Sequence, residues 1–598
     1  MRRSFHLHKR ASSLLHYTWP SWLPQTTNRK FFALALVLAF GLIGYWLGPT
    51  DLALGKYLAR IKITVDGQVM SVDYPFVLGD QGGQPFVATT TAGQYQFTVA
   101  GQDAYENQLG QRITYRIQVV DKHGAPADLT FDSATSIITG EHFHQILPPT
   151  EHSGEWLVFS MRIPYKAKLI TALLFAVAVL WLTELVPLAA AALAIPVVIV
   201  IAGVADANTI FQPFFHPIVV LFLAGFLLAE GMHRTGADRF IALTILRRSS
   251  LEPAYLLLTM MSLSAFLSMW MSNTASVAIL IPIVLAVLDR LPIDVGKTGF
   301  RRALILGVAY AATVGGIGSA IGTPANILAL TFLNDYIGSN FTFTDWFYYG
   351  LPMTIIMVPI IWLYLLLTFR VKVRHVGPHL SHDAYQEELE KMNGLSKEQI
   401  ILLLVFVVIM ALWLTERWHH IPTSIVALAG VLLLFFTETI KKDDLNHVNW
   451  NVLLTFGGGL ALGSMLVLTG VSDWIALQLI DLSVLPPLLV VLALAGLTLV
   501  IGAFISNTAC AAMMIPLAIP MAQILHMDPV LLVAIVAIAS SIDFAMVVGT
   551  PPTMLAYSTG HFQVKEIFSR GIILDLIGVL ILSLGVIWIW RFLGVVAF

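Results

Sequence analysis

Charge and cysteine are both scarce in this chain. Only 12% of its 598 residues are Asp, Glu, Lys or Arg, and the mean hydropathy is +0.79, well above the soluble range. That balance argues against a soluble enzyme, nucleic acid is not an expected partner, and the formal net charge of -2 conceals a segregation of sign along the chain. A single cysteine, Cys510, rules out an intramolecular disulfide and leaves no thiolate cluster for zinc or iron. No A-x-A-like cleavage site closely follows the first apolar run, Phe31 to Leu47, so we read that run as an uncleaved signal-anchor. Its basic flank, with Arg2, Arg3, Lys9, Arg10, Arg29 and Lys30, is expected to hold the N-terminus in the cytosol.

What the chain does have falls into blocks. Residues 1–50 are the basic tail and first span. Residues 51–165 turn polar, with alternating segments Ile61 to Val65, Gln94 to Val99, Ile113 to Val120 and Trp156 to Met161, and predict a small extracytoplasmic β domain. The Gly-rich stretch Gly79 to Gly83 lacks a following Lys-Ser/Thr and opens no helix, so it reads as a turn rather than a phosphate loop. Residues 166–370 and 398–598 alternate apolar spans with short connections, joined by a polar cytosolic linker at 371–397. Spans are predicted near 168–188, 190–204, 216–232, 303–333, 348–369, 398–415, 420–438, 450–470, 528–556 and 570–594. Two apolar segments, about 252–289 and 484–525, are too long for one helix and carry polar residues at mid-length, as a re-entrant hairpin would.

The distribution of Lys and Arg tests that layout. With the first span leading out, Arg234, Arg239, Arg247, Arg248, Arg290, Lys297, Arg301, Arg302, Lys565 and Arg570 all fall in the cytosol, as does the loop from Arg370 to Lys397. The opposite connections, near 205–215, 334–347 and 471–483, contain neither residue type, as the positive-inside bias requires. Arg417 and Arg591, at span ends, are exceptions. The expected fold class is an all-α polytopic membrane protein of about eleven transmembrane helices plus two re-entrant hairpins, with the β domain inserted after the first span. It would lie in the cell membrane, against lipid, with its C-terminus extracytoplasmic.

An internal repeat points to the function. Trp181-Leu182-Thr183-Glu184 returns as Trp413-Leu414-Thr415-Glu416, Ser272-Asn273-Thr274-Ala275 with Ile281-Pro282 as Ser506-Asn507-Thr508-Ala509 with Ile515-Pro516, and Gly322-Thr323-Pro324 as Gly549-Thr550-Pro551. Three matches in one order, about 230 residues apart, separated by an odd number of crossings, make the halves inverted. Inverted repeats with broken helices mark secondary transporters, and the breaks mark the binding site. Ser, Asn and Thr favour helix N-caps, so each Ser-Asn-Thr can open the second arm of a hairpin with its free N–H groups and positive dipole end facing an anion. In each Gly-Thr-Pro, Gly permits the break, Thr suits the N-cap, and Pro lacks the N–H that would go unpaired. Carbonyls freed at mid-membrane need a partner, and a sodium ion is one. Packing alone would account for one such motif, but it does not require the same tripeptides at equivalent places.

At these residues the chain resembles the divalent anion/sodium symporters, over about Phe31 to Trp590 apart from the β domain. The resemblance implies a homodimer in which a transport domain moves elevator-fashion against a scaffold, carrying succinate, malate, citrate or sulfate with sodium and needing no organic cofactor. Carried onto matching positions, it implies a first sodium site at Ser268, Ser272, Asn273 and the Gly322 carbonyl, and a second at Ser506, Asn507 and Gly549. The dianion would lie between Asn273, Thr274, Asn507 and Thr508, near Thr323, Thr550 and Pro551.

Four positions depart from the family. Gly502 stands where Ser268 stands in the first half, Val547 replaces a usual Pro and Thr553 a usual Asn. Asp543 is an ionisable group within a span, for which we weigh cation or proton coupling against burial in packing. Glu184, Glu230 and Glu416, near span ends, read as solvated or structural, and His216 and the His419-His420 pair as interfacial. The rivals are an intramembrane enzyme on Ser272 or Ser506, which lacks a neighbouring base and any catalytic set, a sensor that has lost transport, and an exchanger or proton-coupled carrier.

Overall fold

The computed structural model describes residues 28–48, the strands and one turn between 55 and 162, and 166–595 except 184, 248–251, 291–298, 339–340, 372–393, 479–484, 526 and 548. The basic residues before 28, the whole stretch from Gly79 to Gly83, Glu184, Arg248, Lys297 and nearly all of the 371–397 linker lie outside the described residues.

After helix α1 (Asn28–Leu47) come two antiparallel sheets. One has the order β2-β1-β6-β7, built from β1 (Gly55–Val65), β2 (Gln68–Leu78), β6 (Ala134–Gly140) and β7 (Phe143–Leu147). The other has the order β3-β4-β5-β9-β8, from β3 (Phe86–Ala92), β4 (Tyr95–Tyr105), β5 (Gln111–Asp121), β8 (Glu151–Ser153) and β9 (Trp156–Arg162). All four segments expected from alternation lie on strands, apart from Gln94, which is outside the described residues. The pattern is visible in β1, where Ala59, Ile61 and Ile63 are buried while Arg60 and Lys62 are exposed. Strand β2 escaped notice because Pro75 interrupts it. It is an edge strand, where a missing N–H costs no ladder bond.

The helical remainder begins with α2 (Ala167–Thr183) and α3 (Leu188–Ile201). Gly44 and Gly48 let α1 lie directly on α2: a Cβ on Gly44 would come 2.8 Å from the Thr171 carbonyl, and one on Gly48 2.9 Å from Lys168 Cα. Short α4 (Ala207–Phe211) leads to α5 (Pro217–Thr235) and α6 (Ala237–Arg247). Next come the first hairpin, α7 (Pro253–Ser268) and α8 (Asn273–Arg290), and the broken pair α9 (Phe300–Ile317) and α10 (Pro324–Ile337), followed by α11 (Asp345–Thr368). The second half repeats this order. It runs through α12 (Lys397–Leu414), the turn α13 (Glu416–His419), α14 (Thr423–Phe436), α15 (Trp450–Leu468) and α16 (Val471–Gln478). The second hairpin, α17 (Pro487–Gly502) and α18 (Asn507–Ile524), precedes the broken pair α19 (Pro529–Ala539) and α20 (Pro551–Ser558), then α21 (Val564–Leu580) and α22 (Ile587–Phe592). Six stretches among the described residues are long and apolar enough to cross a membrane, from Ala207–Thr235 to Val564–Phe592.

The segments read as single spans at 303–333 and 528–556 are each two helices with a gap, and in each a Pro at the first helical position starts the second helix. The repeated Trp-Leu-Thr-Glu motif closes a chain reversal. Trp413 Nε1 donates to the Thr423 carbonyl at 3.0 Å, as Trp181 Nε1 does to that of Leu188 at 3.4 Å. Arg417, an exception to the charge pattern, pairs with Asp345.

Candidate functional site

Both hairpins are built alike. Ser272 and Ser506 cap their second arms, accepting the N–H of Ala275 at 3.2 Å and of Ala509 at 3.3 Å, as the tripeptides predict. The arms are pinned together by an equivalent bond in each half. Ser276 Oγ donates to the Ser264 carbonyl at 3.0 Å, and Cys510 Sγ to that of Thr498 at 3.4 Å. The lone cysteine thus stands in for a serine. Thr323 and Thr550 occupy N-cap positions in extended conformation, but neither hydroxyl caps its helix. Thr550 Oγ1 instead pairs with Thr553 Oγ1 at 2.9 Å.

The two halves interlock at these elements. Helix α8 packs against α20 of the second half, α18 packs against α10 of the first, and α9 touches α20. The duplicated tips and breaks, carrying Asn273, Thr274, Thr323, Asn507, Thr508, Thr550 and Pro551, therefore belong to one interlocked set of helices. Thr323 and Thr550 are buried, Thr508 is half-buried, and Thr274 and Pro551 are exposed.

In the first half, buried Ser268 ends α7 with two acceptors in reach of its hydroxyl: Asn273 Oδ1 at 2.6 Å and the Ala312 carbonyl at 2.7 Å. One proton cannot satisfy both, so this group of oxygens retains acceptor capacity that suits a hard cation. Gly315 and Gly316 permit the close approach: a Cβ on Gly316 would fall 2.4 Å from Asn273 Oδ1, and one on Gly322 2.4 Å from the Gly316 carbonyl. Asn326, which the sequence reading passed over, fixes the break by donating to the carbonyls of Gly316, Ile317 and Ser319 at 2.9, 3.2 and 2.6 Å.

The second half is made differently. Helix α19 stops at Ala539, and the backbone of Phe544 and Ala545 donates to the buried Asp575 carboxylate at 2.7 and 3.1 Å. Tyr310 of the first half donates its hydroxyl to the Phe544 carbonyl at 3.0 Å. Asp543 accepts from Met546 N at 3.3 Å through Oδ1, while its buried Oδ2 and the Oδ1 of Asn507 have no hydrogen-bond partner among the described residues. Such orphaned acceptors, with no donor offered to them, fit a cation. Asp575 was also missed. The signal available for it was a carboxylate inside an apolar span.

The other ionisable residues near span ends make local pairs. Glu230 meets His447 at 2.8 Å beside Asp444, whose counter-charge is Arg234 at 3.2 Å. His216 lies 3.6 Å from Asp335, and His419 accepts from Ile421 N at 2.9 Å.

Residues 157–596 match the sodium:sulfate symporter transmembrane region. The chain belongs to that family. The family extends over both hairpins and both breaks, whereas the strands before residue 157 fall outside it. The sodium-dependent dicarboxylate transporter SdcS of Staphylococcus aureus is 30% identical over 478 residues, 75% of this chain and 91% of that protein. SdcS of Staphylococcus saprophyticus is 29% identical over 448 residues, 70% of this chain and 86% of that protein. Among solved structures, MtrF of Neisseria gonorrhoeae overlaps with a TM-score of 0.45 at 15% identity, covering 63% of this chain and 82% of its own. Members of the family are transporters, so this chain is a multi-pass membrane carrier of a small anion and not an enzyme.

Proposed function

We propose that the protein is a secondary active transporter of a small dianion, a dicarboxylate such as succinate or malate, or citrate, in symport with sodium. The observation that carries this reading is the interlocking of two polar hairpin tips with two broken helices, one of each from either half. The relatives' names favour a dicarboxylate over sulfate and sodium as the coupling ion. In this reading the repeats 166–370 and 398–598 are inverted, joined by a cytosolic linker at 371–397. The chain spans the bilayer about eleven times and adds two re-entrant hairpins. The N-terminus is cytosolic, the C-terminus and the 51–165 β domain are extracytoplasmic, and two copies pair through a scaffold.

Chemically, Asn273, Thr274, Asn507 and Thr508 present neutral donors at two helix N-termini, with Thr323, Thr550 and Pro551 alongside. A fixed Arg could hold a dianion too firmly for release, whereas a co-transported cation supplies positive charge that leaves with the cargo. Ser268, Ser272, Asn273 and the Gly322 carbonyl form the first sodium site, and Ser506, Asn507 and the Gly549 backbone the second, with Asp543 contributing to coupling. Vesicles reconstituted with the purified chain test this: succinate, citrate and sulfate uptake is measured under a sodium gradient, a proton gradient, or internal dianion alone. Sodium-driven dicarboxylate uptake is expected. Uptake driven only by internal dianion would make the protein an exchanger, and uptake driven only by protons a proton-coupled carrier.

A further inference from the structure

We infer that the second cation site is built on the Asp543 carboxylate, which takes over the place that the Ser268 hydroxyl fills in the first half. The inference rests on the reading of the paired hairpin tips as cation sites. Ser268 and Gly502 each end the first arm of their hairpin, five residues before the asparagine at the tip. In the first half that hydroxyl engages Asn273 Oδ1. In the second half position 502 offers no hydroxyl, and Asn507 Oδ1 is buried without a partner among the described residues. The loss is not forced by space, since a Cβ on Gly502 would meet the Ser540 carbonyl at 3.4 Å and Cys510 Sγ at 3.7 Å, ordinary contacts.

A second exchange complements it. Gly316 and Asp543 stand six residues before Gly322 and Gly549, so they are equivalent positions. A side chain at 316 would collide with Asn273, and none is present. At 543 the helix has already ended, and the freed backbone carries a carboxylate that is 1% exposed. Its Oδ2 lies on the Cα of Gly549, so close that a methyl group there would sit 1.5 Å away. That glycine lies at the end of the break, two residues before α20, and belongs to the second cation site proposed above. One half therefore has a hydroxyl and no side chain at the break, and the other has a carboxylate at the break and no hydroxyl. A buried carboxylate oxygen with no donor is costly, and a sodium ion shared with Asn507 offsets that cost.

The charge has a consequence the hydroxyl would not: the second site holds sodium before any dianion arrives. The test is equilibrium binding of radiolabelled sodium to the purified full chain, with choline as the replacing cation and no dianion present. Wild type is expected to bind sodium. Asp543→Asn should weaken the second site about tenfold or more, leaving the first site, which Asn273→Ala removes. Gly549→Ala, which forces the carboxylate aside without deleting it, should mimic Asp543→Asn, and adding Gly502→Ser to Asp543→Asn should recover part of the affinity. Unchanged sodium binding in folded Asp543→Asn and Gly549→Ala would overturn the inference, as would the absence of sodium binding to wild type without dianion. Sodium-driven uptake by wild type judges the underlying reading separately.

Discussion

The two halves run through the same helices in the same order, yet they hold their helix breaks open by opposite means. In the first, the gap at residues 318–323 is held by an amide: Asn326 donates to three carbonyls left over at the end of α9. In the second, the gap at residues 540–550 is longer and is held by an acid, Asp575, which accepts two N–H groups. The residue equivalent to Asn326 is Thr553, whose short side chain turns to Thr550 instead. A polar break in a membrane must have its backbone satisfied, but either carbonyls or N–H groups can be the ones that need help.

Variants can break or sharpen this comparison. The largest effect is expected where the halves agree: Asn273→Ala and Asn507→Ala should each cut sodium-driven uptake by about tenfold to a hundredfold, the loss of one interaction with a charged group. Normal uptake in both, with the protein present in the membrane, would remove the basis of the transport site. Next comes the difference itself. Asp575→Ala leaves two buried N–H groups unpaired at about 1–3 kcal/mol each, whereas Asn326→Ala leaves under-satisfied carbonyls, which are better tolerated. Thermal unfolding of the solubilised protein should therefore fall further for Asp575→Ala, and the reverse order would contradict the account of the two loops.

A smaller effect separates close approach from mere flexibility. Gly316→Ala must displace Asn273 and should reduce uptake at an overpacking cost of about 1–3 kcal/mol. Gly496→Ala, with nothing within 4 Å of the added methyl, should transport normally. The smallest effect is expected of Cys510→Ser, which copies the Ser276 bond of the first half. A change in uptake beyond about tenfold, more than one such hydrogen bond would be worth, would mean that Cys510 does more than pin the hairpin.

Much of this was legible in the sequence because it is local. Ser272 and Ser506 cap helices three residues away, the alternation in β1 lies within one strand, and the repeated tripeptides mark their own positions. What was not legible depends on partners distant in sequence or on backbone. Asp575 acts on N–H groups about thirty residues earlier, and Tyr310 on a carbonyl in the other half. Thr323 and Thr550 were read at the right positions, but their hydroxyls do not cap, because extended backbone at a site suits a cap without obliging the side chain to serve as one.

The Asp543 carboxylate also bears on membrane voltage. If the proposed carrier moves as an elevator, a return step taken empty with this group ionised would carry one negative charge through the field, worth about 2.3 kcal/mol per 100 mV for a full crossing. An inside-negative potential pushes that charge outward and so speeds the recovery of the outward-facing carrier. A site made only of hydroxyls, amides and carbonyls would return without sensing the potential at all.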